Sequence, residues 1–198
     1  EKELRIDPEN GPVRLSMGRA LACLGRDGEA AEWLRKALDS SPGDAGILRA
    51  LGHVLARTGE YQEAAECFTT IVEKNPADTN AWYWRGEMLE RLGRYADAAE
   101  AYARALDGNS EDVVLQEKLG RTLERTGAYR EAAVCFERIL RANSESADAF
   151  ARKGAALLYR GDYSGAVASF DRVLAGDPHN LDALYGKARA LEHLGRFQ

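Results

Sequence analysis

The sequence predicts an all-α array of helix–turn–helix repeats, and three observations carry that prediction. Gly25, Gly59, Gly93, Gly127, Gly161 and Gly195 recur every 34 residues. A second ladder, Gly18, Gly52, Gly86, Gly120 and Gly154, runs seven positions earlier. Asn10, Asp44, Asp78, Asp112, Ser146 and Asn180, all residue types that cap helix N-termini, keep the same spacing. Self-similarity at a fixed period of this length marks a repeat architecture, in which each unit buries its apolar face against its neighbours.

Each period reads as two helices. The first begins after the cap and carries apolar or small residues at helical spacing, as in Trp82, Gly86, Leu89 and Leu92. It ends at the later glycine ladder, where a left-handed backbone is easiest without a Cβ. A turn bearing Tyr61, Tyr95, Tyr129 or Tyr163 follows. The second helix is expected from about Glu63 to Lys74 in the cleanest copy, with Pro76 stopping it as Pro8, Pro42 and Pro178 do elsewhere. Ser110 and Ser144 stand in the proline place of two repeats. The Gly86-type and Ala98-type positions mark where paired helices approach most closely, so larger side chains there should overpack. Leu34, Phe68, Tyr102, Phe136 and Phe170 form the bulky ladder of the second helix, and Trp33 is expected to make up aromatic volume beside Leu34.

Ala81-Trp82-Tyr83-Trp84-Arg85-Gly86, followed by Leu89, Gly93, Tyr95, Ala98, Tyr102 and Ala105, closely resembles the signature of the tetratricopeptide repeat (TPR) family. The resemblance implies a right-handed superhelical α-solenoid, an α-α superhelix. It divides the chain into the tail of a preceding repeat (1–10), five full repeats (11–44, 45–78, 79–112, 113–146 and 147–180) and the first helix of a truncated sixth (181–198). Beginning and ending within a repeat, the chain is expected to be a piece of a longer array. Its ends, with Leu184, Leu191 and Leu194 on the last helix, are expected to associate with each other or with absent repeats. Repeat one departs from the pattern with Asp27 at the tyrosine position. The tryptophan position is variable, holding Arg14, Leu48, Trp82, Gln116, Phe150 and Leu184.

Composition narrows the function. There are 27 Lys and Arg against 32 Asp and Glu, for a net charge of −5, and the mean hydropathy is −0.44. That balance argues against a general nucleic-acid binder, whose phosphate contacts need a dominant basic surface. No apolar run approaches the roughly 20 residues of a membrane-spanning helix. No phosphate-binding loop or zinc-ligand spacing occurs, so no cofactor, metal or catalytic residue is assigned. Cys23, Cys67 and Cys135 are isolated in sequence and read as small buried apolar residues, and so small and odd a number suits a reducing compartment, so a cytoplasmic location is expected.

The family resemblance implies a protein-interaction scaffold that takes a peptide or protein segment in a concave groove lined by the first helices. The groove positions it implies include Arg19, Arg49, His53, Arg57, Tyr83, Glu87, Arg91, Arg121, Arg125, Tyr159, Tyr185 and Arg189. The first two repeats contribute Arg19, Arg49, His53 and Arg57 without an acid, so an acidic stretch is the favoured ligand there. Arg49, His53 and Arg57 also repel one another at i, i+4 and i+8, and relief is expected from a neutral His53 or from Glu87 and Glu90. Glu117 and Arg121 read as an i,i+4 structural pair, and Trp84 either borders the groove or packs between repeats. The alternatives are a regulatory array fused to a catalytic domain outside this segment, and a self-assembling structural scaffold.

Overall fold

The computed structural model describes residues 11–195. Asn10 and Phe197, and the predicted tail at 1–10, lie outside the described residues. Eleven α-helices follow one another: α1 (Gly11–Cys23), α2 (Asp27–Ser40), α3 (Ala45–Thr58), α4 (Tyr61–Lys74), α5 (Thr79–Arg91), α6 (Tyr95–Ala105), α7 (Val113–Thr126), α8 (Tyr129–Ala142), α9 (Ala147–Arg160), α10 (Tyr163–Gly176) and α11 (Leu181–His193). A 3₁₀ turn, Leu106–Gly108, follows α6. The described residues contain no strand. They form two compact units divided between Ala105 and Leu106, and within each unit consecutive helices pack on one another. The fold is the all-α helical-repeat architecture that the periodicity predicts.

Local chemistry explains the boundaries. Asp44, Asp78, Asp112, Ser146 and Asn180 each accept a hydrogen bond from the backbone N–H three residues on, at 2.9–3.3 Å, and open α3, α5, α7, α9 and α11. Asp162 does the same for α10, a cap absent from the sequence reading. The later glycine ladder ends the first helices with φ between 65° and 88°, a left-handed conformation costly to residues with a Cβ. The second helix starts earlier than expected. Tyr61, rather than Glu63, is the first residue of α4, and Tyr95, Tyr129 and Tyr163 likewise open their helices.

Proline is not what sets the far end. Helix α8 stops at Ala142, the place where α4 stops at Lys74, with Ser144 in place of Pro76. There the Asn143 side chain accepts from the N–H of Glu145, and the Ser146 N–H closes a turn on the Asn143 carbonyl. The same side-chain turn forms at Asn109, before Ser110, and at Asp177, before Pro178, so a local Asn or Asp bond turns the chain whether or not a proline follows.

The earlier glycine ladder is explained by packing. A Cβ on Gly52, Gly86, Gly120 or Gly154 would lie 2.6–2.9 Å from the ring of Phe68, Tyr102, Phe136 or Phe170. Bulky side chains of the second helix thus rest directly on the backbone of the first, beside fully buried Ala64, Ala98, Ala132 and Ala166. In repeat one, Leu34 fills this slot against Gly18, while Trp33 is half-buried at the edge of the same core with the Lys36 ammonium over its ring. On α11, Leu181 and Leu184 are exposed and Leu191 is half-buried, as is Leu194 just beyond the helix.

Candidate functional site

In the first unit the predicted residues gather on α1, α3 and α5. Arg49 and Arg57 do not turn to Glu87 and Glu90. Arg49 bonds forward to Asp78 at 2.6 Å and Asn80 at 2.8 Å, across the next turn. Arg57 bonds backward to both oxygens of Asp27, at 2.6 and 3.0 Å. The unusual Asp27 of repeat one is therefore an arginine partner, and this pair holds the Asp27 carboxyl below its ordinary range. Glu87 and Glu90 both meet the hydroxyl of fully buried Tyr102, each at 2.8 Å. One phenol proton serves two carboxylates, and burial, reinforced by those carboxylates, pushes the phenol well above its usual range.

His53 lies half-buried between the two arginines. Its ring meets Trp84 edge-on at 4.5 Å and Phe68 at 5.4 Å. Burial, with Arg49 and Arg57 adding to it, lowers the imidazole below its usual value, so the neutral form is favoured. Trp84 packs between repeats, lying parallel to Phe68 at 6.3 Å, and it also lines an open cavity. Tyr83 packs edge-on to Trp84 at 5.5 Å.

Two adjoining hollows flank His53. One, of about 320 Å³, is lined by Arg19, Cys23, Arg49, His53 and Arg57 with small residues of α1 and α3. The other, of about 350 Å³, is lined by His53, Arg57, Tyr61, Trp84, Glu87 and Arg91 among others. Arg19 and Arg91 have no carboxylate partner among the described residues, and the Arg91 guanidinium sits 6.0 Å from the Tyr61 ring centroid. Arg49 and Arg57, in contrast, are each paired with a carboxylate.

The second unit has a different surface. Arg121 pairs with Glu117 at 3.3 Å, the expected i,i+4 contact, and Arg125 is exposed near the end of α7. Tyr159 stacks on Tyr129 with centroids 5.0 Å apart. Arg189 places its guanidinium 5.8 Å from the ring centroids of both Tyr159 and Tyr185. Arg152, missed by the sequence reading, bridges Glu124 at 3.3 Å and Asp148 at 3.0 Å. Burial nevertheless dominates at Glu124 and raises its carboxyl above the usual range.

One contact recurs through these pairs. Arg57 on Asp27, Arg91 on Tyr61, Tyr159 on Tyr129 and His193 on Tyr163 all join residues 30 apart, the last at 4.5 Å. Each joins the end of a first helix to the start of the preceding second helix. Both sets were visible as separate columns in the sequence, but only the helix crossing shows that they touch.

The cysteines divide. Cys67 and Cys135 are buried as expected, with thiols pushed up to about 12 and about 11 by burial. Cys23 is exposed, contrary to expectation, because it ends α1 on the wall of the smaller hollow instead of facing the core. Among the described residues, no group of three His, Cys, Asp or Glu side chains is arranged to hold a metal ion. No described helix is long and apolar enough to cross a membrane.

A family model for the tetratricopeptide repeat matches residues 3–45, 49–113 and 152–198. No curated protein matches the chain by sequence. Among solved structures, YrrB, described as a TPR protein with an unusual peptide-binding site, is 22% identical with a TM-score of 0.77, over 92% of this chain and 94% of its own. MamA is 21% identical with a TM-score of 0.73, over 85% of this chain and 92% of its own. A tetratricopeptide repeat protein from Parabacteroides merdae ATCC 43184 is 21% identical with a TM-score of 0.69, over 94% of this chain and 74% of its own. Similarity at this level of identity establishes a shared fold, and with the family match it shows that the chain belongs to the tetratricopeptide repeat family.

Proposed function

We propose that this chain is a non-catalytic interaction scaffold that takes a peptide or protein segment along its first helices, with an acidic stretch over α1, α3 and α5. The observation that carries this reading is the pair Arg19 and Arg91. Each lines a hollow beside His53, and neither is neutralised by a carboxylate among the described residues. Guanidinium forks suit carboxylates, which they take in bidentate geometry. Tyr61 and Trp84 add apolar surface to the hollow that Arg91 lines, the kind that anchors bound segments. The peptide-binding site named for YrrB is that protein's own, and lends support by shared fold alone.

The test is fluorescence anisotropy with a labelled aspartate-rich decapeptide on the intact chain and on an Arg19→Gln/Arg91→Gln double variant, with circular dichroism confirming that both are folded. Binding that weakens at least tenfold in the variant and falls with added salt is expected. Equal binding by both proteins, or none by either, would overturn the reading. Reversing Arg49 or Arg57 would be a poorer test, because it breaks the contacts to Asp78 and Asp27 that join neighbouring repeats.

A further inference from the structure

We infer that the α9–α11 face of the second unit is a separate recognition site for an extended segment bearing an aromatic ring next to a carboxylate. This deepens the reading of the first helices as the binding surface and rests on it. Tyr159 and Tyr185 are 58% and 68% exposed, unusually open for side chains of this size. Tyr159 does not swing freely, because its ring is stacked on Tyr129. Arg189 stands within cation–π range of both exposed rings, at 5.8 Å from each.

Arg189 also has no carboxylate partner among the described residues, so its N–H donors are not spent on an ion pair within the protein. Its contact with two rings restrains the side chain before any ligand arrives, which lowers the ordering cost of binding. Beside the rings, α9 carries Ala151 and Ala155, in the places where α5 carries Tyr83 and Glu87. Two methyl groups thus stand where α5 carries a phenol and a carboxylate, so α9 adds no charge of its own at these places. The 30-residue contact reinforces the contrast. In the first unit it presents Arg57 and Arg91, and in the second it presents Tyr159 and His193. The ligand chemistry that fits is therefore aromatic first, with one carboxylate placed for Arg189.

Titration of the ¹⁵N-labelled chain with three blocked hexapeptides tests this: one containing Phe-Asp, one Phe-Asn and one Ala-Asp in the same glycine–serine context. The Phe-Asp peptide is expected to shift amides of α9 and α11 and to bind about tenfold tighter than either control. Arg189→Gln should abolish the preference for Asp over Asn while keeping that for Phe over Ala. Tyr185→Ala, an exposed change that leaves the core intact, should do the reverse. Arg19→Gln/Arg91→Gln should alter neither preference. Equal affinity for all three peptides, a preference for Asp over Asn that survives Arg189→Gln, or shifts confined to α1, α3 and α5 would overturn the inference. If the aspartate-rich decapeptide still binds through Arg19 and Arg91 in that case, only the second site fails. If the decapeptide fails while Phe-Asp binds at α9 and α11, the acidic-site reading falls and this one stands.

Discussion

Arg57 closes on Asp27 through two nitrogens, Nη2 at 2.6 Å and Nε at 3.0 Å, tying the end of α3 to the start of α2. Repeat one lacks the tyrosine found at this place in later repeats, and the ion pair takes over the contact that Arg91 makes with Tyr61. The pair is partly exposed, with side chains 48% and 21% accessible, so solvent screens much of its attraction. A double-mutant cycle of Asp27→Ala and Arg57→Ala should give a coupling of about 0.5–1 kcal/mol from urea unfolding. Because the Asp27 carboxyl titrates lower in the folded chain, this contribution is present above the ordinary carboxylate range. It is lost as pH falls through the depressed folded value. A coupling that does not shrink in acid would contradict the assignment.

Gly86 and Gly28 should respond oppositely to alanine. A Cβ on Gly86 would lie 2.6 Å from the Tyr102 ring, whose hydroxyl is already held by Glu87 and Glu90, so the ring has little freedom to retreat. Gly86→Ala should destabilise by about 1–3 kcal/mol. Gly28, within α2, has nothing within 4 Å of its Cβ direction, and Gly28→Ala should stabilise by about 0.5–1 kcal/mol through helix propensity. Thermal unfolding of the two variants decides the matter, and shifts of the same sign would refute the packing account.

His53 makes stability depend on pH near neutrality. Its folded value is depressed by burial and by Arg49 and Arg57, so the unfolded chain binds the proton more readily. Stability is then full above the ordinary imidazole value near 6.5 and declines as pH falls from there through the folded value. The His53 ring resonances should titrate with a midpoint below 6.5 in the free chain. A bound aspartate-rich peptide should move that midpoint upward, since it offsets the charge of the neighbouring arginines. A free-chain midpoint above 6.5 would contradict the burial described for this ring.

The three cysteines should react in two classes. At pH 8, Cys23 is expected to be alkylated within minutes, while Cys67 and Cys135 stay protected in the native chain by burial and by thiols raised to about 12 and about 11. All three should react in denaturant. Mass spectrometry of the alkylated peptides reads the outcome directly, and rapid native labelling of Cys67 would show that its core opens readily.

Much of the fold was legible because its signals are local. The caps at Asp44, Asp78, Asp112, Ser146 and Asn180 act within three residues, and the turn glycines act through their own φ angles. The start of α4 was misplaced by two residues because Tyr61 reads as a turn residue in sequence, whereas its ring packs as the first residue of the helix. The Gln116 side chain shows a subtler limit. It donates to the Ser110 carbonyl at 2.8 Å, as the Trp82 indole donates to the Pro76 carbonyl at 2.9 Å. Two unlike residues thus do one job at the variable tryptophan position, a likeness no hydrophobicity pattern reveals.

The amino-acid order alone determined the period, the paired helices, the caps and the columns of equivalent residues. Tertiary structure decided which of their charges pair with one another. Arg19, Arg49, Arg57 and Arg91 look alike in the sequence, but only helix packing brings Asp78 to Arg49 and Asp27 to Arg57, leaving Arg19 and Arg91 without a carboxylate partner among the described residues. The physical reason is range. Helix caps and turns are settled by bonds between near neighbours along the chain, whereas an ion pair between side chains about 30 residues apart depends on where two packed helices place them.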